Sequence, residues 1–113
     1  MSFEQGDIIA LDFSPTQGHE QSGYRPALVI SRNLYNTKTG FVVVCPITST
    51  LKAYPTRIPL DERTKTTGFV ICEQIRTIDI EARTPRYFEK MPDDLLQQAL
   101  EIVSSIFDGE LDS

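Results

Sequence analysis

At 113 residues the chain has the size of one domain and leaves little surface for a second. Its 40% hydrophobic and 24% charged residues are those of an ordinary globular protein, and no apolar run approaches the ~18 residues that a membrane span needs. A net charge of −5 argues against a uniformly basic nucleic-acid binder, but the acids are concentrated at the end: residues 89–113 carry −6, and residues 20–65 carry +4.

The middle of the chain can therefore present a cationic surface that the C-terminal element cannot. Met1–Asp7 has neither the basic start nor the apolar stretch of a leader, which points to the cytoplasm. Cys45 and Cys72 each sit in an apolar run and read as buried, reduced thiols. With His19 as the single histidine and no close carboxylate cluster, the residues suggest neither a metal site nor a cofactor.

In chain order, Gly6-Asp7 enters a strand over Ile8–Phe13, and Ser14-Pro15-Thr16-Gln17-Gly18 breaks it before a polar loop that runs to Gly23-Tyr24. A short buried strand is expected over Pro26–Ser31, then one helical turn over Arg32–Asn36 closed by Thr37-Lys38-Thr39-Gly40. Phe41–Ile47 is the most β-rich run. Thr56–Leu60, with Pro55 and Pro59, suits an edge strand. Gly68–Cys72 reads as a strand continuing towards Ile75–Ile78. From Asp93 the spacing turns helical, with apolar positions at Leu96, Ala99 or Leu100, Val103, and Ile106 or Phe107. Pro92 fits the first turn, Asp93 and Asp94 suit its dipole, and Gly109 is a plausible stop. The pattern is mainly β with a C-terminal helix: a small bent antiparallel sheet, barrel-like, in residues 1–108, followed by a short acidic tail over 109–113.

Four blocks carry more specific information. Gly18-His19-Glu20-Gln21-Ser22-Gly23-Tyr24-Arg25-Pro26 resembles the G-x-E-Q-x-G-x-R-P opening of the MazF/PemK toxins. Tyr35-Asn36-Thr37-Lys38-Thr39-Gly40, Cys45-Pro46-Ile47-Thr48-Ser49 and Thr66-Thr67-Gly68 through Glu73-Gln74-Ile75-Arg76-Thr77-Ile78-Asp79 resemble later blocks of that family, in order and at family spacing, the last being similar to its PemK/Kid branch. The resemblance covers residues 6–107. It implies the SH3-like fold that these toxins share with CcdB, and a homodimeric endoribonuclease that cuts single-stranded mRNA without metal at particular sequences. Such cutting leaves 2′,3′-cyclic phosphate and 5′-hydroxyl ends and stops translation and growth. It also implies a cognate antitoxin with an acidic, disordered tail. The competing readings are a CcdB-like gyrase poison and a catalytically silent binding module of the same fold.

Metal-free RNA cleavage needs a group to take the 2′-hydroxyl proton, charge to stabilise the phosphorane, and help for the leaving 5′-oxygen. One histidine rules out a two-histidine acid–base pair. Arg25, whose guanidinium can grip two phosphate oxygens, and Thr48, a hydroxyl donor where an apolar strand turns polar, are the catalytic residues the resemblance implies. Glu20 is a further candidate, as base or as the group orienting Arg25. His19 is another, aligned with a histidine that acts in the Kid branch. That branch also uses an arginine and an aspartate where this chain has Ile71 and Glu73, so Arg–Thr chemistry is expected here. Tyr24, Ser49, Lys52, Tyr54, Arg57, Glu73 and Gln74 complete the expected RNA surface. Of the aromatic residues near loops, Tyr24, Tyr35 and Tyr54 are stacking candidates, and Phe41 reads as core.

Overall fold

A computed structural model describes residues 2–13, 23–50 and 52–108. Seven strands build one antiparallel sheet: β1 (Asp7–Asp12), β2 (Tyr24–Val29), β3 (Phe41–Thr48), β4 (Arg57–Pro59), β5 (Phe69–Ile71), β6 (Arg76–Asp79) and β7 (Arg86–Lys90). The helices are α1 (Asn33–Thr39), the single turn α2 (Ile80–Arg83) and α3 (Asp93–Ile106). The strand order is β4-β5-β3-β2-β1-β7, with β6 added to β3.

Strand β3 organises the sheet. One edge pairs with β2 from Ala27↔Pro46 to Val29↔Val44. The other edge is shared: Phe41–Val44 pair with β6, and Ile47 and Thr48 pair with β5. This sharing explains why the expected continuous strand through Gly68–Ile78 is two strands. A turn at Cys72-Glu73 carries the chain from one half of β3 to the other.

Successive residues of a strand face opposite sides, and here both sides are apolar. Ile8, Leu28, Cys45, Ile47, Ile58 and Val70 face α3, where Leu95 and Ala99 close over them. Ile9, Leu11, Ala27, Val29, Val42, Val44 and Ile78 form a second cluster with Phe3 and Phe13. That cluster is buried although α3 lies on the other face, so the sheet itself wraps around it in the barrel-like manner expected. Cys45 and Cys72 are buried free thiols of the first cluster.

Several boundaries differ from the sequence expectation. Strand β2 begins two residues early, at Tyr24. Helix α1 runs on through Thr37-Lys38-Thr39 and stops at Gly40, whose φ of 75° is left-handed. Asn36 on α1 is buried, and its amide donates to Phe3 O (2.9 Å) and Ser31 O (3.2 Å), which ties the N-terminal segment to the helix. Phe41, expected in the core, is exposed. In α3 the buried stripe runs through Leu95 and Ala99, one position off the expected Leu96, and Ile106 and Phe107 are exposed. Pro92 caps α3 rather than entering it, and the helix ends at Ile106. Gly109, the expected stop, and the acidic tail lie outside the described residues. Strand β7 and helix α2 had no counterpart in the sequence reading. No helix among the described residues is long and apolar enough to cross a membrane.

Candidate active site

The polar ends of β2 and β3 meet in a cleft of about 400 Å³, within the usual range of ligand sites. Its lining includes Tyr24, Arg25, Thr48 and Ser49 of the expected site. The β2–β3 pairing ends at Ala27↔Pro46, and Arg25 and Thr48 lie two residues beyond that last pair on their respective strands. Arg25 is half-buried, where the strand before Pro26 leaves the core, and Tyr24 beside it is 63% exposed.

Thr48 is the last residue of β3 and is buried at 2% exposure. Its Oγ1 accepts from the Thr50 amide at 3.3 Å and lies 3.0 Å from the Thr50 hydroxyl. The hydroxyl is thereby fixed at the cleft wall by its own turn.

The segment Lys65-Thr66-Thr67 and Phe88 of β7 form a further part of the cleft wall. Glu89 holds that wall. Its carboxylate accepts from the Lys65 amide (3.0 Å), the Thr66 amide (2.8 Å) and the Thr66 hydroxyl (2.7 Å). Burial alone would raise the Glu89 carboxyl, but these donors outweigh it and hold it below the ordinary carboxylate range. Lys65 brings a second cation to the cleft beside Arg25. The sequence reading identified none of Lys65, Thr66, Thr67 or Phe88 as site residues. The one available signal was Thr66-Thr67-Gly68, noted for its family pattern and not for chemistry.

The remaining expected residues gather elsewhere. Arg57 donates from Nε (3.0 Å) and Nη2 (2.8 Å) to Glu73, and from Nη1 (3.3 Å) to the Lys52 carbonyl, with its guanidinium 5.0 Å over the Tyr54 ring. Thr56 donates to the other Glu73 oxygen at 2.8 Å. Partial burial would raise the Glu73 carboxyl, but Arg57 and Thr56 lower it overall. Arg57 is thus charge-matched within the chain, and its cluster ties the 52–54 loop to the 72–74 turn. The Gln74 amide donates to Ile71 O in that same turn. His19 and Glu20 lie outside the described residues. The segment bearing them leaves and rejoins the described chain at Phe13 and Gly23, where the Phe13 amide donates to Gly23 O at 2.9 Å.

Known proteins resemble this chain in sequence and in fold. A model of the PemK-like, MazF-like toxins of type II toxin–antitoxin systems matches residues 4–107. The chain is 40% identical over 80 residues to the endoribonuclease toxin MazF of Escherichia coli strain K12, covering 71% of each. The crystal structure of MazF from Deinococcus radiodurans superposes with a TM-score of 0.87 at 34% identity, covering 94% of this chain and 96% of that one. MazF in a MazE–MazF crystal structure from the same organism gives 0.82 at 34% identity, with the same coverage. The chain belongs to the PemK-like, MazF-like toxins of type II toxin–antitoxin systems, a family of endoribonucleases.

Proposed function

We propose that this toxin is a homodimeric, metal-independent endoribonuclease that cuts single-stranded mRNA in the cytoplasm at particular sequences. Its effect is to stop translation and growth. The observation that carries the reading is that Arg25 of β2 and Thr48 of the neighbouring β3 line one cleft.

The ribose 2′-oxygen attacks the adjacent phosphorus as its proton passes to a base on the 14–22 segment, for which Glu20 and His19 are the candidates. The P–O5′ bond breaks, the 5′-oxygen takes a proton from water, and the products carry a 2′,3′-cyclic phosphate and a 5′-hydroxyl. The Arg25 guanidinium binds the phosphate oxygens as charge builds on the phosphorane; a guanidinium holds its protons too tightly to donate one readily, so stabilisation is its role. With Thr50 as donor to Thr48 Oγ1, the Thr48 proton remains to be given to a phosphate oxygen. Tyr24, Ser49 and Lys65 line the path of the strand, and the Lys52–Tyr54–Arg57–Glu73–Gln74 region extends it.

The Deinococcus radiodurans relative is solved together with MazE. A cognate antitoxin with an acidic, initially disordered tail suits the Arg25–Lys65 cleft here, because carboxylates can occupy the phosphate positions while the tail folds on binding. The acidic face of α3 repels such a tail.

The test is cleavage of a long natural RNA by purified protein in EDTA, with chemical analysis of the new ends. Cyclic phosphates and 5′-hydroxyls are expected. Activity that vanishes in EDTA and returns with a divalent ion would overturn the reading.

A further inference from the structure

Strand β7 is an edge strand with a defect. Its pairing with β1 runs Asp7↔Lys90 and Ile8↔Glu89, then jumps to Ile9↔Tyr87 and Ala10↔Arg86. Phe88 is the extra residue, without a counterpart on β1. Such bulges turn a side chain out of the regular alternation, and they concentrate at sheet edges and beside active sites. In a regular strand Phe88 and Glu89 would serve opposite faces. Here both serve one cleft: Phe88 lines it, while Glu89 grips Lys65 and Thr66 of the same wall. Tyr87 and Lys90 line a separate cavity next to the N-terminal segment.

Phe88 is 51% exposed, and its ring has no core position. It shares the cleft with Arg25, the phosphate-binding cation of the reading above, and with the exposed ring of Tyr24. A half-exposed apolar ring next to a phosphate site is the arrangement that accepts an unpaired nucleobase, because every base offers a π-face whatever its sequence.

We propose that the β7 bulge presents Phe88 as a stacking platform for one base of the RNA strand next to the scissile phosphate; this assignment rests on the endoribonuclease reading. The stack forms equally in the ground and transition states, so Phe88 sets KM and leaves kcat alone. It contributes affinity and not the choice of base.

The experiment uses full-length protein and short RNAs made uncleavable by one 2′-deoxyribose at the cut, each with a single abasic nucleotide at a different position. For wild type, removing one particular base next to the cut is expected to weaken binding roughly 5- to 100-fold. Phe88→Ala is expected to bind the intact RNA as weakly as wild type binds that abasic RNA, and to show no further loss at that position. On cleavable RNA it should raise KM at unchanged kcat, with wild-type melting temperature and oligomer mass. The chain has no tryptophan, so Phe88→Trp supplies a unique fluorophore. It should restore affinity, and intact RNA should quench its emission more than the abasic RNA does. Wild-type KM in Phe88→Ala, undiminished sensitivity to every abasic position, or a change in oligomer mass would each overturn the stacking assignment while cleavage by wild type stands. A wild-type protein that cuts no RNA would overturn the assignment together with the reading beneath it.

Discussion

Gly68 lies with its bare Cα against the carbonyl of Thr48: a Cβ added there would sit 2.1 Å from that oxygen and 2.6 Å from its carbon. The obstacle is backbone, which cannot swing aside, and the Gly68 φ of +110° excludes ordinary side chains in any case. Gly68 also accepts from the Leu60 amide at 2.8 Å, so β4, β5 and the end of β3 meet at this point. Gly68→Ala is expected to cost about 2–4 kcal/mol of stability from strain and overpacking combined. It should also reduce cleavage at temperatures where the variant is still folded, because relief of the clash moves Thr48. Urea unfolding and single-turnover rates check both; a variant with wild-type stability would mean that β5 can shift without cost.

Arg25→Ala and Thr48→Ala are each expected to lower the cleavage rate about 10²–10³-fold while the fold is kept, the usual worth of one donor to a developing anion. Arg25→Lys should fail almost as badly, since lysine keeps the charge but not the two-pronged geometry. Thr48→Ser should recover much of the Thr48→Ala loss. The measurement is rate under saturating RNA with circular dichroism as the fold control. Near-normal rates for Arg25→Lys would leave charge alone as the requirement.

The Glu89 carboxyl has a testable pH signature. Its pKa in the folded protein lies below the ordinary value of 4.5. Its contribution to stability is therefore complete above pH 4.5 and fades as the pH falls from there through the lowered value. Wild type should lose stability more steeply than Glu89→Gln over that acid interval. At neutral pH, Glu89→Gln should loosen the Lys65–Thr67 wall and raise KM. Parallel stability curves for the two proteins below pH 4.5 would mean that the three donors do not recognise the charge.

The sheet and the C-terminal helix were legible because each depends on local pattern, β-rich runs and helical spacing after Pro92; Arg25 and Thr48, which the family resemblance singled out, line one cleft. Strand β7 was not legible. Arg86-Tyr87-Phe88-Glu89-Lys90 lacks clean alternation because the bulge at Phe88 interrupts it, and the strand exists through its pairing with β1, some eighty residues earlier. The half of the cleft formed by Lys65, Thr66 and Phe88 was hidden with it. Arg57 and Glu73, sixteen positions apart, could be named individually but not as an ion pair. That pairing follows from the β4–β5 register, in which Arg57 lies opposite Ile71. The shifted α3 stripe reflects the helix's approach to the first apolar cluster, which places Leu95 rather than Leu96 deepest.

Charge should divide the surface functionally. Lys65→Ala and Lys52→Ala are each expected to weaken binding of an uncleavable RNA and to reduce the slope of log K against log salt by about 0.7, the value for one phosphate contact on a single strand. Arg57→Ala, which also breaks the pair with Glu73, should in addition lower unfolding stability by about 0.5–1 kcal/mol. An acidic antitoxin peptide should compete with RNA and share its salt dependence. Simultaneous binding with unchanged affinities would place the antitoxin on another surface.

The 2′-hydroxyl as nucleophile is the central claim, and one atom of substrate tests it. A short RNA with a single mapped cut site is compared with the same strand carrying 2′-deoxyribose at the nucleotide 5′ to the scissile phosphate, with both binding and cleavage measured in EDTA. The deoxy substrate should bind with nearly unchanged affinity and remain uncut by wild type. Cleavage of that substrate at a rate near that of the all-ribose strand would show that water or a protein group attacks the phosphorus, and would contradict the mechanism built on Arg25 and Thr48.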